Sequence, residues 1–361
     1  MIRLSIQKKS IIPCNYCAPL ITSDGSSGIT GDSLNERQVV GMKILVTGGA
    51  GFIGSNVADG YVKEGHDVII VDDLSSGSRE NVNPSARFFE MDIRSKAFEE
   101  LVASERPDVI NHHAAQISVP ASVENPTYDA HINIIGFLNL LEAARKAGVE
   151  KIIFISSGGA IYGEALEYPT SEAWQPRPLS PYAVSKYASE HYLHYYRHQY
   201  GMEYLTLRYA NVYGPRQIPH GEAGVVAIFM NNLLEGKRSF VNHFPQDEMG
   251  MVRDYCFVGD VVRANIAALL RGSCEAVNIG TGVETRTLTL YKTVYSAMKE
   301  KLPDVSEELS MPGRRLARPG DLSRSCLVVS RAREVLGWEP QTDLKNGIGR
   351  TLDWRLAESR R

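Results

Sequence analysis

Tyr182 and Lys186 stand four residues apart, just after Pro181, at the start of a stretch that reads as a helix over 182–200. Proline favours the first turn of a helix, and a spacing of four puts the phenol and the ammonium on one helical face. A tyrosine with an ordinary pKa of about 10 is a poor base at neutral pH. A nearby cation favours the phenolate, and a shift of about 3 units is worth about 4 kcal/mol. Such a pair can pass a proton at a substrate hydroxyl. Ser156 and Ser157 end the apolar run Lys151-Ile-Ile-Phe-Ile155, in the segment Ser156-Ser-Gly-Gly-Ala-Ile-Tyr-Gly163. A hydroxyl at a strand end lies where open α/β sheets bind ligands, so it could grip the reacting oxygen together with Tyr182.

A second constellation lies upstream. Gly48-Gly-Ala-Gly51-Phe-Ile-Gly54 follows the apolar run Lys43–Thr47 and opens a helical stretch expected over 55–65. Gly48 permits a tight turn, Gly51 lets the backbone approach a pyrophosphate, and Gly54 lets helix and strand pack closely. Asp72 follows the next strand, Asp67–Val71. A carboxylate there can bond a ribose 2′-hydroxyl and would repel a 2′-phosphate, which predicts NAD rather than NADP. The positive nicotinamide ring then joins Lys186 in favouring phenolate at Tyr182.

The elements that position these groups alternate. Further apolar runs at 108–111, 151–155 and 203–208 are separated by helical stretches, notably 128–146 and 182–200. This predicts an α/β fold: a Rossmann-type doubly wound parallel sheet with a smaller C-terminal α/β substrate-binding lobe. The NAD-binding domain is expected over 42–215, with 250–280 returning to it. Residues 216–249 and 281–361 are expected to form the substrate lobe, which includes a helix near 225–234; strand-like pieces at 255–258 and 276–279 fall in the returning segment.

The formal charge of −3 gives no sign of a nucleic-acid surface, and no run approaches the roughly 18 to 20 apolar residues of a membrane span. Five scattered cysteines, Cys14, Cys17, Cys256, Cys274 and Cys326, do not make a disulfide framework and point to a reducing, cytoplasmic setting. Cys14 and Cys17 form a lone CxxC with no second pair for zinc. Residues 1–41 lack sustained periodicity and read as a disordered leader, or as an upstream start on a protein beginning at Met42.

Four segments carry a family resemblance: Thr47–Gly54, Ser156–Gly163, Ser180-Pro-Tyr-Ala-Val-Ser-Lys186 and Arg208-Tyr-Ala-Asn-Val-Tyr-Gly-Pro-Arg216. Together they resemble the extended short-chain dehydrogenase/reductases, and within them the NAD-dependent nucleotide-sugar epimerases that act on UDP-glucose and UDP-galactose. The resemblance runs from Met42 almost to the C-terminus. It implies that Tyr182, with Lys186 and Ser157, handles the proton of a sugar 4-hydroxyl while a hydride leaves carbon-4 for tightly held NAD and returns to the other face. It implies cofactor contacts at Gly48, Gly51, Phe52, Ile53, Gly54, Asp72, Asp92, Ile93, Ala114, Ala115, Asn133, Tyr182 and Lys186. It implies substrate contacts at Asn211, Val225, Arg253, Arg318 and Asp321, with the two arginines suited to a diphosphate.

Two positions depart from the family pattern. Where many members carry Ser or Thr four residues before the tyrosine of the Tyr-Gly pair, this chain has Gly158, leaving Ser157 or Ser156 to assist Tyr182. Where some members close the sugar pocket with tyrosine after the Arg-x-Gly-Asp motif, this chain has Ser325, which leaves room for an N-acetyl group and predicts that UDP-hexosamines are also accepted. Dehydratases and decarboxylases that resemble this chain need a carboxylate before the Tyr-Gly tyrosine, where Gly159-Ala160 stand here. A non-catalytic NAD-binding protein has no need of an activated phenol. A metal site built from His191, His194 and His198, or from His112-His113, competes poorly with a polar helical face. Leu138, Leu141, Tyr192, Tyr195 and Tyr196 on the two long helices predict a homodimer built on a helix bundle.

Overall fold

Apolar runs covered on both faces become strands, and the amphipathic stretches between them become the helices that cover them. In the computed structural model, which describes residues 41–219, 224–317 and 321–358, β1 (Lys43–Thr47) leads to α1 (Phe52–Lys63), then β2 (Asp67–Asp72), β3 (Arg87–Glu90), α2 (Lys96–Glu105) and β4 (Val109–His112). Next come α3 (Val119–Glu124), α4 (Pro126–Ala130), a π turn at His131–Ile135, α5 (Gly136–Ala147), β5 (Lys151–Ser157), α6 (Pro181–Tyr200) and β6 (Glu203–Tyr209). The chain continues through β7 (Asn211–Tyr213), α7 (Val225–Leu234), β8 (Phe240–His243), β9 (Val252–Arg253), β10 (Tyr255–Phe257), α8 (Val258–Leu270) and β11 (Glu275–Ile279). It closes with β12 (Thr285–Arg286), α9 (Thr287–Lys301), β13 (Gly313–Leu316), α10 (Ser330–Leu336) and α11 (Leu344–Glu358). The leader cysteines Cys14 and Cys17 and the predicted substrate residue Arg318 lie outside the described residues.

Seven parallel strands form one sheet in the order β11-β6-β5-β4-β1-β2-β3. The chain reverses its direction of travel across the sheet between β1 and β4, and ligands of doubly wound sheets bind beyond the strand ends at such a point. Alternation along β1 feeds two cores. Ile44 and Val46 pack with Val57 and Tyr61 of α1 and Val261 and Ala264 of α8, whereas Leu45 packs with Phe137, Leu140 and Leu141 of α5 and Leu193 of α6. A third core joins Phe229 and Met230 of α7, Tyr291 and Val294 of α9 and Leu352 of α11 to Tyr213 and Phe257.

Several elements differ from the sequence reading. Helix α1 begins at Phe52, three residues early, because the glycine loop itself forms the first turn. The expected helix over 128–146 starts at Pro126, where Asn125 caps it, and loosens into the π turn before α5. Strand β3, Arg-Phe-Phe-Glu, is too short and too charged at its ends to have stood out. Of the residues proposed for an outer bundle, Leu141 and Tyr196 are buried in the core, because α5 and α6 turn those positions onto the sheet. Tyr192 and Tyr195 do face outward. Leu141→Ala should therefore behave as a core cavity and cost about 2–5 kcal/mol. Urea unfolding measures this; a change within about 0.5 kcal/mol, as for a surface residue, would return Leu141 to the outside.

Candidate active site

The turn between β1 and α1 is built by three glycines for three different reasons. Gly48 has φ +66°, and a Cβ there would stand 2.6 Å from the Ala114 nitrogen, so the turn is pressed against the β4 loop. A Cβ on Gly54 would lie 2.2 Å from the Gly48 carbonyl oxygen, so α1 sits directly on the turn. A Cβ on Gly51 would meet only the Gly48 carbonyl oxygen, at 3.2 Å. Gly51 is the N-cap of α1 and no side chain caps the helix, which leaves its first amides and positive dipole end to an anion. Phe52, Ile53 and Gly54 carry the first amides of the helix, and a cradle of this kind suits a pyrophosphate.

Asp72 ends β2 and is buried. Its Oδ2 accepts from the Ala50 nitrogen at 2.9 Å and its Oδ1 from the Leu74 nitrogen at 2.8 Å. Burial pushes the carboxyl up, against the pull of the Leu74 and Ala50 amides. The Gly51 amide also favours the charged form, and a carboxylate has acceptor sites beyond these for a ribose hydroxyl. Asp92 and Ile93 follow β3. The Arg94 guanidinium grips Asp92 and holds its carboxyl below the usual range. Ile93 is buried against Gly136, and its carbonyl accepts from Asn139 Nδ2 at 2.7 Å. Ala114 and Ala115 lead out of β4, where the Ala114 nitrogen donates to Thr47 Oγ1 at 3.3 Å. Asn133 lies in the π turn, a feature that often marks functional sites, and bonds back to Gln116 at the end of the same β4 loop.

The phenol and its neighbours come from β5 and α6. Ser180 caps α6 by accepting from the Ala183 nitrogen, and Pro181 supplies the first turn, so Tyr182 and Lys186 share one inward face. Ser157, beside the Tyr182 phenol, favours its ionisation, but burial outweighs it and the phenol is pushed up to about 12. Lys186 is not among the groups that move the phenol. The Lys186 ammonium donates instead to the Ile155 carbonyl at 3.0 Å and lies 5.1 Å from the Phe154 ring centre. Burial brings Lys186 down to about 8, while Asp129 and Glu190 favour its charged form.

The two strand-end serines divide their work. Ser156 Oγ donates to Glu190 Oε1 at 2.6 Å, and Glu190 is paired with Arg208 at 2.6 Å in a buried ion pair. Arg208 in turn donates to the Tyr162 hydroxyl, which donates to Asn278 Oδ1. Ser156 is thus committed to a structural network, and Ser157 is the hydroxyl at the phenol. The absent Ser or Thr at 158 also has a cause: a Cβ there would stand 2.6 Å from Leu327 and 3.0 Å from the Arg208 carbonyl oxygen.

Among the predicted substrate residues, Asn211 is exposed at the start of β7 and Val225 begins α7. Arg253 donates to the carbonyls of Val252 and Leu322 at 2.8 Å each, and burial lowers its pKa while Tyr255, Asp321 and Glu164 oppose that. A guanidinium so placed among carbonyls remains suited to an anion. Asp321 is half-buried beside the residues outside the described range. A Cβ on Gly159 would lie 3.5 Å from Asn211 Oδ1 and 3.9 Å from Ser325 Oγ, so these small groups converge. His112 is bonded through Nδ1 to Thr47 Oγ1 at 2.7 Å, and burial holds His113 down at about 3. Among the described residues no group of three His, Cys, Asp or Glu could hold a metal.

Asp129, Gln116 and Glu190 escaped the sequence reading. The spacing offers only a weak signal: Asp129 precedes Asn133 by four and Glu190 follows Lys186 by four, while nothing marks Gln116.

A glycine turn, a carboxylate ending β2 and a Tyr-Lys pair beyond β5 define a Rossmann-fold enzyme that works on a dinucleotide. The chain belongs to the NAD dependent epimerase/dehydratase family, whose model matches residues 44–280. It is 46% identical to the UDP-glucose 4-epimerase of Mycolicibacterium smegmatis over 319 residues, 87% of this chain and 98% of that one. It is similar to the crystal structure of the Thermotoga maritima UDP-glucose 4-epimerase with UDP-glucose (TM-score 0.82, 46% identity, 88% and 100% of the chains). It is also similar to the Thermus thermophilus UDP-glucose 4-epimerase in complex with NAD (TM-score 0.80, 45% identity, 87% and 98%).

The buried carboxylate of Asp72 should discriminate against a 2′-phosphate by at least about tenfold, since an unpaired like charge there costs more than about 1.4 kcal/mol. Titration of the cofactor-free protein with NAD and NADP measures the ratio; equal or tighter NADP binding would refute the role given to Asp72.

Proposed function

We propose that the chain interconverts UDP-glucose and UDP-galactose at carbon-4, with NAD as a resident cofactor. The observation that carries this reading is the Ser157 hydroxyl set against the Tyr182 phenol, one helical turn from Lys186 and beyond the strand ends beside the glycine turn. When bound, NAD supplies the hydride acceptor for carbon-4 and a positive ring beside the phenol. Gly48, Gly51, Phe52, Ile53 and Gly54 bind its pyrophosphate, Asp72 a ribose, Asp92 and Ile93 the adenine edge, and Ala114, Ala115, Asn133 and Lys186 the remainder.

Tyr182 takes the proton of the sugar 4-hydroxyl at its phenolate oxygen and returns it once the sugar has turned over in the pocket. Ser157 holds the same sugar oxygen through the transfer and keeps the phenol aimed at it. Lys186 stands one turn along the same helix, with its ammonium on the Ile155 carbonyl. Asn211, Val225, Arg253, Arg318 and Asp321 hold the substrate, with the half-buried Arg253 facing the diphosphate. In this reading residues 42–215 with 250–280 form the cofactor domain, and 216–249 with 281–361, built on the third core, close over the sugar nucleotide. Ser325, small and buried beside Gly159 and Asn211, supports a pocket that also takes N-acetylated UDP-hexosamines. The free Cys256, Cys274 and Cys326 accord with a cytoplasmic enzyme, and no described helix is long and apolar enough to cross a membrane.

Tyr182→Phe should lower turnover by about 10²–10⁴-fold while NAD stays bound after purification. Product identification with the glucose and galactose pair and with the acetylated pair tests the substrate. No conversion of the first pair by the wild-type protein would end the proposal, and none of the second would end its extension to hexosamines.

Val184, Tyr192 and Tyr195 on α6, with Ile135 at the end of the π turn, expose apolar surface that a twofold copy would cover. The protein should run as a dimer by light scattering at micromolar concentration; a monomer mass would overturn this.

A further inference from the structure

One fully buried carboxylate reaches three segments of the cofactor site. Asp129, in α4, accepts from Ser185 Oγ at its Oδ2 (2.6 Å) and from Gln116 Nε2 (2.8 Å) and Asn133 Nδ2 (3.0 Å) at its Oδ1. Asn133 and Gln116 close on each other: the Gln116 nitrogen donates to Asn133 Oδ1, and Asn133 Nδ2 donates to the Gln116 carbonyl, both at 2.9 Å. Ser189 Oγ, one turn beyond Ser185, donates to the carbonyls of Asn133 at 3.3 Å and Ser185 at 2.9 Å. The β4 loop that carries Ala114 and Ala115, the π turn that carries Asn133, and the turn of α6 that carries Lys186 are thus joined at one anion. All three side-chain donors are neutral, so none of them balances its charge. A buried carboxylate is costly to keep unless it is needed.

We propose that Asp129 is a positioning residue for the proton transfer: it locks Asn133 and the Lys186 turn of α6 into register and supplies the negative charge that holds the Lys186 ammonium. This rests on the function proposed above. Lys186 is faced by Asp129 from α4, by Glu190 from its own helix, whose charge is shared with Arg208, by His112 at the end of β4 and by His113 just after it. The imidazoles are kept neutral by burial, so the charge balance lies with the two carboxylates. Tyr182 is faced by Ser157 from β5 and by Asp129, whose charge opposes phenolate. Asp129 therefore raises both the ammonium and the phenol. Turnover rises with pH as the phenol ionises and falls as the ammonium is lost, so removing the charge moves both limbs of the profile to lower pH.

Asp129→Asn in the full-length holoenzyme tests this. The amide brings a donor where three donors already converge. Both limbs of the kcat–pH profile should move down by about one unit, with little change in KM, and NAD retained per protomer should fall as Asn133 loosens. A lower kcat with both limbs in place would reduce Asp129 to a structural residue and overturn the proposal. Ser185→Ala keeps the charge and removes one donor, and it carries the test if the first variant fails to fold. Its kcat should fall about fivefold with the limbs unmoved; a wild-type rate would overturn the positioning role. Should wild-type protein show no epimerase turnover, the proposed function fails, and NAD retention still judges Asp129: full retention in Asp129→Asn would overturn it.

Discussion

An ammonium group taken out of water must be compensated by its surroundings, and much of this fold is arranged to compensate Lys186. The Ile155 carbonyl accepts its proton at 3.0 Å, the Phe154 ring presents a π face, and Asp129 and Glu190 contribute negative charge from two sides. Burial still prevails and brings the lysine down to about 8. Each contributor depends on a different element. The carbonyl requires β5 to run straight into the site, Asp129 requires α4 and the π turn, and Glu190 requires the partner that β6 supplies in Arg208. An uncompensated charge in such a place costs several kcal/mol, so these elements cannot shift independently.

The same network explains how two adjacent serines come to differ. A strand alternates its side chains, so Ser156 and Ser157 point to opposite faces of the sheet. One face meets Glu190 and Arg208, the other meets the phenol. The crowding of Gly158 against Leu327 and the Arg208 carbonyl leaves no room for a hydroxyl on the next residue. The departure from the family pattern at 158 and the placement of Ser157 are two consequences of one packing arrangement.

What could be read from the chain alone follows from how local each feature is. The glycine turn, Asp72 and the Tyr-Lys spacing are contiguous or periodic, and strands covered on both faces betray themselves by uninterrupted apolar runs. Asp129 and Glu190 were illegible because a carboxylate four residues from a polar partner is commonplace on helices; only the approach of α4, β4 and α6 turns it into a charge beside Lys186. Leu141 and Tyr196 were misjudged for a related reason. A helix with apolar residues on several faces does not declare which face meets the sheet, and that is decided by how α5 and α6 dock. The short β3 and the early start of α1 were missed because their defining interactions are with neighbouring backbone: β2 for the strand, the Gly48 carbonyl for the helix.

The phenol itself carries the last step. Tyr182 is pushed up to about 12, because burial removes water that would solvate a phenolate. Reaching neutral pH from there requires about 5 units, or about 7 kcal/mol, more than one neighbouring hydroxyl and a lysine aimed at a carbonyl provide. A second positive charge delivered into the same dry space closes much of that gap, since a low dielectric strengthens each Coulomb interaction. Burial thus does two opposed things at one residue. It raises the phenol, and it strengthens the pull of any positive charge placed beside it. A fully solvated Tyr182 would start nearer 10 but would respond far less to such a charge.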